Sequence, residues 1–214
     1  MRRLTISAIS ISVALLLVGP ADAATRFHSK IAPLCHLPAR MQQRLADEYV
    51  QVYESGEGVA KVFACAYGHR HTYLLNTPRP CPSSYCERPL RQLVIAGPFV
   101  AYEPEQQTAS NIIVRNIITG RVLYKAPIAT PANPDFNAER IVLKTDGSAA
   151  WIATSFRKTG SQVHALERSG NKLLAIIGEN DRNSLALVNE TGFYPQSSKL
   201  YWTQEGKPMS ATLN

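Results

Sequence analysis

Three blocks of sequence decide the fold of this chain: QQRLADEYVQVYE at 42–54, RQLVIAGPFVAYE at 91–103 and RIVLKTDGSAAWI at 140–152. Each block contains an apolar strand, a tight turn and a second apolar strand, and each begins 49 residues after the one before. The turns are Asp47-Glu48, Gly97-Pro98 and Asp146-Gly147, which are dipeptides typical of hairpin turns. A block that recurs at this interval indicates one supersecondary unit copied along the chain.

An aromatic residue occupies the same place in every copy. Tyr53, Tyr102 and Trp151 are separated by 49 residues each, and Trp202 follows Trp151 after 51. Such a recurrence indicates a large side chain that each unit needs at one position, because aromatic rings fill the space between packed sheets. Burial in the core is therefore the favoured role of Trp151, and a ligand platform on the surface is the alternative.

A second hairpin follows the block in each of the first three copies. Its strands are predicted at 60–67 and 71–75, at 111–117 and 121–125, and at 161–167 and 172–177. β-Branched and aromatic residues dominate these runs, as they do in strands. The fourth copy offers strands at 184–188, 199–203 and 208–213 and is one strand short.

The repeat predicts an all-β domain at 40–214, with units at about 40–76, 90–126, 139–177 and 183–214. Four-stranded antiparallel units of this length, repeated radially, are the blades of a β-propeller. The expected fold is therefore a small propeller-like array of about four blades with an incomplete last blade. An open sandwich or barrel is the alternative architecture. A helix over 39–48 competes with the strand that we predict at 44–46.

The blocks LVIAGPFVAYE at 93–103 and IITGRVLYKA at 117–126 carry a family resemblance. From about Arg40 to the end, the chain resembles bacterial exported β-propeller-like repeat proteins of the WD40-like or TolB-like kind. The Trp-Asp pair of WD40 repeats is absent. The resemblance implies the fold and a general tendency to bind partners, since a fold does not fix a function.

The first residues are typical of a secretory signal peptide. Arg2 and Arg3 precede an apolar run at 6–18, and Ala21-Asp22-Ala23 fits the small-x-small cleavage pattern. A membrane anchor is the alternative, but a spanning helix needs about 20 apolar residues. We therefore expect a signal peptide at 1–23, an N-terminal segment at 24–39, and a secreted protein in the extracellular space or cell envelope.

Four cysteines in an exported chain suggest disulfide bonds, because thiols are oxidised outside the cytosol. The pairings that we favour are Cys35–Cys65 and Cys81–Cys86, the second of which would staple a proline-rich loop at 78–89. The alternative is a zinc site that combines Cys65, Cys81 and Cys86 with two histidines.

Those histidines are His69 and His71, which would point to one face of a strand because they are two residues apart. A metal would need a third ligand such as His164, Asp135 or Glu139. The competing interpretation is a polar hairpin with both rings in water, and we predict neither a metal nor another cofactor. A calcium site at 180–183 lacks the spacing of known calcium loops.

Composition limits the classes of partner. The net charge is +7, but the basic residues are scattered, and aromatic residues do not interleave with a basic stripe. Nucleic-acid binding is therefore poorly supported, while a mild attraction to anionic wall polymers or membrane surfaces is physically reasonable.

No catalytic motif occurs in the sequence: it lacks a GxSxG elbow, a phosphate-binding glycine loop and HExxH. The favoured function is an exported, non-catalytic binding or scaffold protein whose partner is a protein or a surface polymer. Two alternatives stay open, namely a small extracytoplasmic metal-dependent hydrolase or lactonase, and a cell-wall-associated protein held by its basic charge.

Overall fold

The computed structural model describes residue 35 and residues 41–55, 60–76, 90–104, 111–129, 136–155, 160–182, 184–189 and 198–214. The predicted signal peptide and the Cys81–Cys86 loop lie outside these residues. In the described part of the chain, the regular structure is β-strand apart from one 3₁₀ turn at Glu179–Asp181. The chain is therefore all-β, as the repeat predicts.

The strands form four separate antiparallel sheets, which follow one another in sequence order. Sheet 1 contains β1 Met41–Ala46, β2 Val50–Ser55, β3 Val62–Ala66 and β4 Thr72–Leu74. Sheet 2 contains β5 Leu90–Ala96, β6 Phe99–Pro104, β7 Asn111–Asn116 and β8 Val122–Pro127. Sheet 3 contains β9 Asn137–Leu143, β10 Ala149–Thr154, β11 Ser161–Glu167 and β12 Gly170–Ile177. Sheet 4 contains β13 Ala186–Asn189, β14 Ser198–Gln204 and β15 Lys207–Leu213.

The first strand settles the ambiguity of the N-terminal block. Residues 41–46 form β1 and pair with β2, so the helix alternative over 39–48 is wrong for the described residues. A register shift between Gln43 and Leu45 places Met41 and Leu45 in different hydrophobic clusters, although their spacing in the sequence would also fit one face of a helix.

The recurring aromatic residue lies on the second strand of every sheet, as predicted. Tyr53 is in β2, Tyr102 in β6, Trp151 in β10 and Trp202 in β14, and all four side chains are buried. Trp151 is 0% exposed, so it belongs to the core and is not a surface platform.

Hydrophobic clusters join successive sheets. Val52 of sheet 1 and Val100 of sheet 2 share one cluster, Ile112 of sheet 2 and Ala149 of sheet 3 share a second, and sheets 3 and 4 share a third. The aromatic residues of sheets 2 to 4 all pack in the same direction along the chain. Tyr102 packs toward sheet 1, Trp151 toward sheet 2 and Trp202 toward sheet 3, so each ring faces the preceding sheet.

In an antiparallel meander the connections between strands lie at two opposite ends of the sheet. Within a meander, successive turns alternate between the two ends of the sheet. The connections at 47–49, 67–71, 97–98, 117–121, 144–148 and 168–169 therefore share one end, which we call the turn end. The turn at Gly97 borders both Tyr49 and Thr145, so the turn ends of sheets 1, 2 and 3 coincide.

The opposite end, which we call the loop end, holds the strand ends that flank the other connections of sheets 1 to 3. These connections are 56–61, 75–89, 105–110, 128–136, 155–160 and 178–185. The strand ends that flank the connections between sheets therefore lie at the same end as those that flank the six-residue segments within sheets 1 to 3. No helix in the described residues has the length and apolar character needed to cross a membrane.

Candidate functional site

The positions of His69 and His71 bear on the metal alternative. Both lie in the connection between β3 and β4 rather than on a strand, so the alternation that would direct them to one face does not apply. His71 is exposed and its ring lies 6.4 Å from that of Tyr73, while His69 is half-buried.

The candidate third ligands do not join these histidines. Glu139 begins sheet 3 at the loop end, where it accepts a hydrogen bond from Thr154, and His164 is buried within sheet 3. Asp135 lies outside the described residues. Among the residues that the structure describes, no group of three histidine, cysteine, aspartate or glutamate side chains could hold a metal ion.

Cys65 forms a disulfide bond with Cys35, with the two Cα atoms 5.9 Å apart. The pairing predicted for these two residues is confirmed, and the zinc alternative that used Cys65 is wrong because the sulfur is already bonded. The disulfide also explains what covers the outer side of sheet 1. No sheet precedes Tyr53 among the described residues, and it packs against Cys35 and Cys65 instead.

The calcium alternative is also unsupported by the geometry. Asp181 ends the 3₁₀ turn, is buried, and accepts a hydrogen bond from the backbone N–H of Glu205 at 2.7 Å. Its carboxylate therefore fixes the β14–β15 turn against the connection after sheet 3.

A buried histidine stands at the boundary between sheets 2 and 3. The ring of His164 stacks on Trp151, with centroids 5.2 Å apart and planes inclined by 2°. Its Nδ1 lies 3.3 Å from Oδ1 of Asn171, and its Nε2 lies 3.0 Å from Oε1 of Gln162. Burial lowers the pKa of His164 below its ordinary value of 6.5, although the hydrogen bond to Asn171 opposes the change.

Side chains of the same cluster donate hydrogen bonds to the end of β8 and to the connection that follows sheet 2. Trp151 donates from Nε1 to the carbonyl of Ile128 at 2.7 Å, and Asn171 donates from Nδ2 to the carbonyl of Pro127 at 3.3 Å. Glu103 adds a further link, because its Oε2 accepts the N–H of Ala138 at 3.0 Å. These groups join sheets 2 and 3, and Trp151, His164 and Glu103 are buried there.

The end of the chain is fixed to sheet 3 by a second polar network. Ser148 donates to the carbonyl of Asn214 at 2.6 Å, and Lys144 donates to the carbonyl of Leu213 at 3.2 Å. The N–H of Asn214 donates to Glu167, which also receives Lys172 at 2.9 Å.

The carboxylates of this network carry lowered pKa values. Burial alone would raise the pKa of Glu167, but hydrogen bonds from Asn214 and Lys172 outweigh it and lower the pKa below 4.5. In Asp146 burial is likewise outweighed, by hydrogen bonds from Lys144 and Ser148. These are the signs of structural ion pairs, since a general acid would need a raised pKa.

Tyr73 of sheet 1 contacts Arg115 and the β7–β8 turn of sheet 2 at the turn end. Its ring lies under the guanidinium of Arg115 at 5.8 Å, and it crowds the backbone of Gly120. Arg115 also donates to the carbonyl of Gly120 at 3.1 Å. The pKa of Tyr102 is raised by burial, and the neighbouring Arg115 offsets part of that change.

The packing of Tyr73 forms a surface that the sequence analysis missed. It brings the β3–β4 connection, with Arg70, beside the β7–β8 turn, with Arg121, although these residues are far apart in the chain. Both arginines are exposed. The sequence signal is an arginine one or two residues after each turn glycine, Arg70 after Gly68 and Arg121 after Gly120. It becomes informative once the contact of Tyr73 with the second turn is known.

Comparison with known proteins supplies no family. No protein family and no curated sequence matches the chain. One similar solved structure is a functionally unknown protein from Desulfotomaculum acetoxidans DSM 771, with a TM-score of 0.40 and 10% identity; the match covers 81% of this chain and 55% of that one. Another comes from a structural and mechanistic study of two prolyl endopeptidases, with a TM-score of 0.40 and 11% identity, covering 81% of this chain and 29% of that one.

Proposed function

We propose that this chain is a non-catalytic binding or scaffold protein of the cell envelope or extracellular space, built as a propeller-like array of four blades. The proposal rests on one observation: the loop end and the buried core have different roles. The loop end collects the connections between sheets, while the buried polar groups His164, Glu103 and Glu167 hold sheets or strands together.

A rigid scaffold that presents several loops on one side is suited to recognition, because binding residues are concentrated in loops positioned by regular structure. The Cys35–Cys65 disulfide agrees with an oxidising compartment. The partner that we propose is a protein or surface polymer that contacts the loop end, with the proline-rich loop at 78–89 as the principal contact.

In the test, the wild-type protein and two variants are immobilised, and the amount of an envelope partner that each retains is measured. One variant replaces 78–88 with a glycine-serine segment of equal length, and the matched control changes Arg168 and Ser169 at the turn end to Ala. We expect the loop variant alone to lose the partner while its unfolding midpoint stays close to that of the wild type. Equal retention by all three proteins would contradict the role of the loop.

The metal-dependent hydrolase is tested with the same material. Turnover of simple esters or lactones by the wild-type protein that EDTA abolishes would contradict the non-catalytic function. Absence of turnover with added Zn²⁺, Mn²⁺ or Ca²⁺ is the expected result, because His69 and His71 have no third ligand among the described residues.

A further inference from the structure

The turn end of sheets 1 and 2 combines basic and apolar side chains at the surface. Arg115 lies over the ring of Tyr73, and Arg70 and Arg121 lie in the two connections beside that ring, 67–71 and 117–121. The tips of the neighbouring turns carry Ile118 and Tyr49. We propose that this surface docks on a membrane that contains anionic phospholipids. The proposal goes beyond the function given above, because it assigns a second surface at the opposite end from the loops.

The charge of this surface is not neutralised within the described chain. Arg44, Lys144, Lys172 and Arg182 form ion pairs with carboxylates there, whereas Arg70, Arg115 and Arg121 form none. Arg115 places one N–H on a backbone carbonyl, and its Nε is buried. Arg70 and Arg121 are exposed, so lipid phosphates would supply the oxygen acceptors that their guanidinium groups lack in the described chain.

The acidic residues at this end only partly oppose the charge. The Asp47 carboxylate accepts the backbone N–H groups of Tyr49 and Val50 at 2.7 Å each, and Asp146 pairs with Lys144. Glu48 is exposed beside Tyr49. The three arginines therefore leave a net positive charge on the surface.

The apolar tips distinguish a membrane from a soluble polyanion. Tyr49 is 47% exposed, Ile118 at the β7–β8 turn is 36% exposed, and Val122 next to Arg121 is 46% exposed. A soluble polyanion needs only the charge. A membrane surface uses both features, since basic side chains bind headgroups while apolar and aromatic side chains enter the boundary with the acyl chains.

The experiment measures co-sedimentation of the purified protein with vesicles of phosphatidylglycerol and phosphatidylcholine, and with phosphatidylcholine alone, at low and high salt. We expect binding only to the anionic vesicles. R70Q combined with R121Q should weaken the partition about 25-fold, because each basic residue near an anionic surface contributes about fivefold. The matched control combines K61Q with K207Q at the loop end, which removes the same charge from exposed positions and should leave binding within about twofold of wild type.

A further variant, I118S combined with V122S, separates the two kinds of anionic partner. We expect it to lose several-fold in vesicle binding and to keep any binding to soluble polyphosphate. Equal loss in the arginine and lysine variants would overturn the proposal, because net charge alone would then explain the binding. Vesicle binding by I118S/V122S at the wild-type level would overturn it in favour of a soluble polyanion, and absence of wild-type binding would overturn it outright. Circular dichroism melts confirm that each variant is folded.

Discussion

Trp151 shows how one side chain serves the fold twice. Its ring fills the boundary between sheets 2 and 3 and supports the ring of His164, and its N–H holds the connection that leaves sheet 2. Packing and hydrogen bonding therefore converge on a fully buried residue. The same position in sheet 4 holds Trp202, whose buried Nε1 has no hydrogen-bond partner among the described residues.

Replacement of Trp151 by Ala should lower the free energy of unfolding by about 3–5 kcal/mol, as expected for a large aromatic removed from a core. The conservative variant Trp151→Phe should lower the free energy of unfolding by about 1 kcal/mol for the lost N–H hydrogen bond. Its packing loss should be smaller than that of Trp151→Ala. Urea unfolding followed by circular dichroism measures both. Tyr49→Ala, at an exposed position, serves as the control. A midpoint for Trp151→Ala equal to that of wild type would place the ring outside the core.

His164 predicts how stability depends on pH. Because burial lowers its pKa in the folded state, the unfolded chain takes up a proton first as the pH falls through about 6.5. The contribution of the neutral ring is therefore fully present above that pH and is lost progressively below it. We expect the unfolding midpoint to decrease between pH 7.5 and pH 5.5.

The variant His164→Gln should remove most of this decrease, whatever its own stability at pH 7.5. His71→Gln is the matched control, because that ring is exposed and should leave the pH dependence unchanged. A wild-type midpoint that is constant over this range, or a decrease that persists in His164→Gln, would show that another group is responsible.

At the scale of the element, two hairpin turns offer a matched comparison. Gly68 and Gly120 have nearly equal φ angles, +76° and +74°, but their surroundings differ. A Cβ at Gly68 would meet nothing within 4 Å, whereas a Cβ at Gly120 would lie 2.4 Å from the ring of Tyr73. The pair therefore separates backbone strain from packing between sheets.

Gly68→Ala should lower the free energy of unfolding by about 1–2 kcal/mol, which is the cost of a left-handed backbone for a residue with a side chain. Gly120→Ala should lose that amount plus about 1–3 kcal/mol for overpacking, because Tyr73 must leave its place beside Arg115. Thermal unfolding of both variants makes the comparison. Equal losses would mean that Tyr73 rotates away without cost and that the contact between the turns is loose.

At the scale of the whole molecule, the aromatic residue of the first described sheet is buried in a different way from those of the later sheets. Sheets 2, 3 and 4 each place their aromatic residue on a preceding sheet, while sheet 1 uses the Cys35–Cys65 disulfide in that position. Terminal units of repeat proteins commonly need such a cap, because each unit buries its face only against a neighbour.

Loss of this disulfide should therefore have a large effect. Cys35→Ser combined with Cys65→Ser should lower the free energy of unfolding by roughly 3–4 kcal/mol, from the entropy of the closed loop alone. Protease digestion should then cut first near Tyr53 and Phe63, the neighbours of the bridge. Cleavage that begins in sheet 3 would contradict a capping role. Mass mapping without reduction tests Cys81–Cys86, which stays a prediction.

The sequence by itself determined the local and repetitive features. Strand periodicity, turn dipeptides and the spacing of the aromatic residues depend on neighbours along the chain, so they predicted four antiparallel sheets and placed Tyr53, Tyr102, Trp151 and Trp202 on equivalent strands. The even cysteine count and the expectation of export predicted Cys35–Cys65, because an oxidising compartment favours pairing.

Only the tertiary structure decided which distant residues meet. The sequence left two interpretations of His69 and His71, a strand face and a hairpin, and the chain turns there, since β3 ends at Ala66. The partners of Trp151 and His164, and the contact of Tyr73 with Arg115 and the β7–β8 turn, depend on how sheets stack. The physical reason is that such contacts arise from packing between units that are each locally complete, and no local pattern in the chain records which turn will lie beside which.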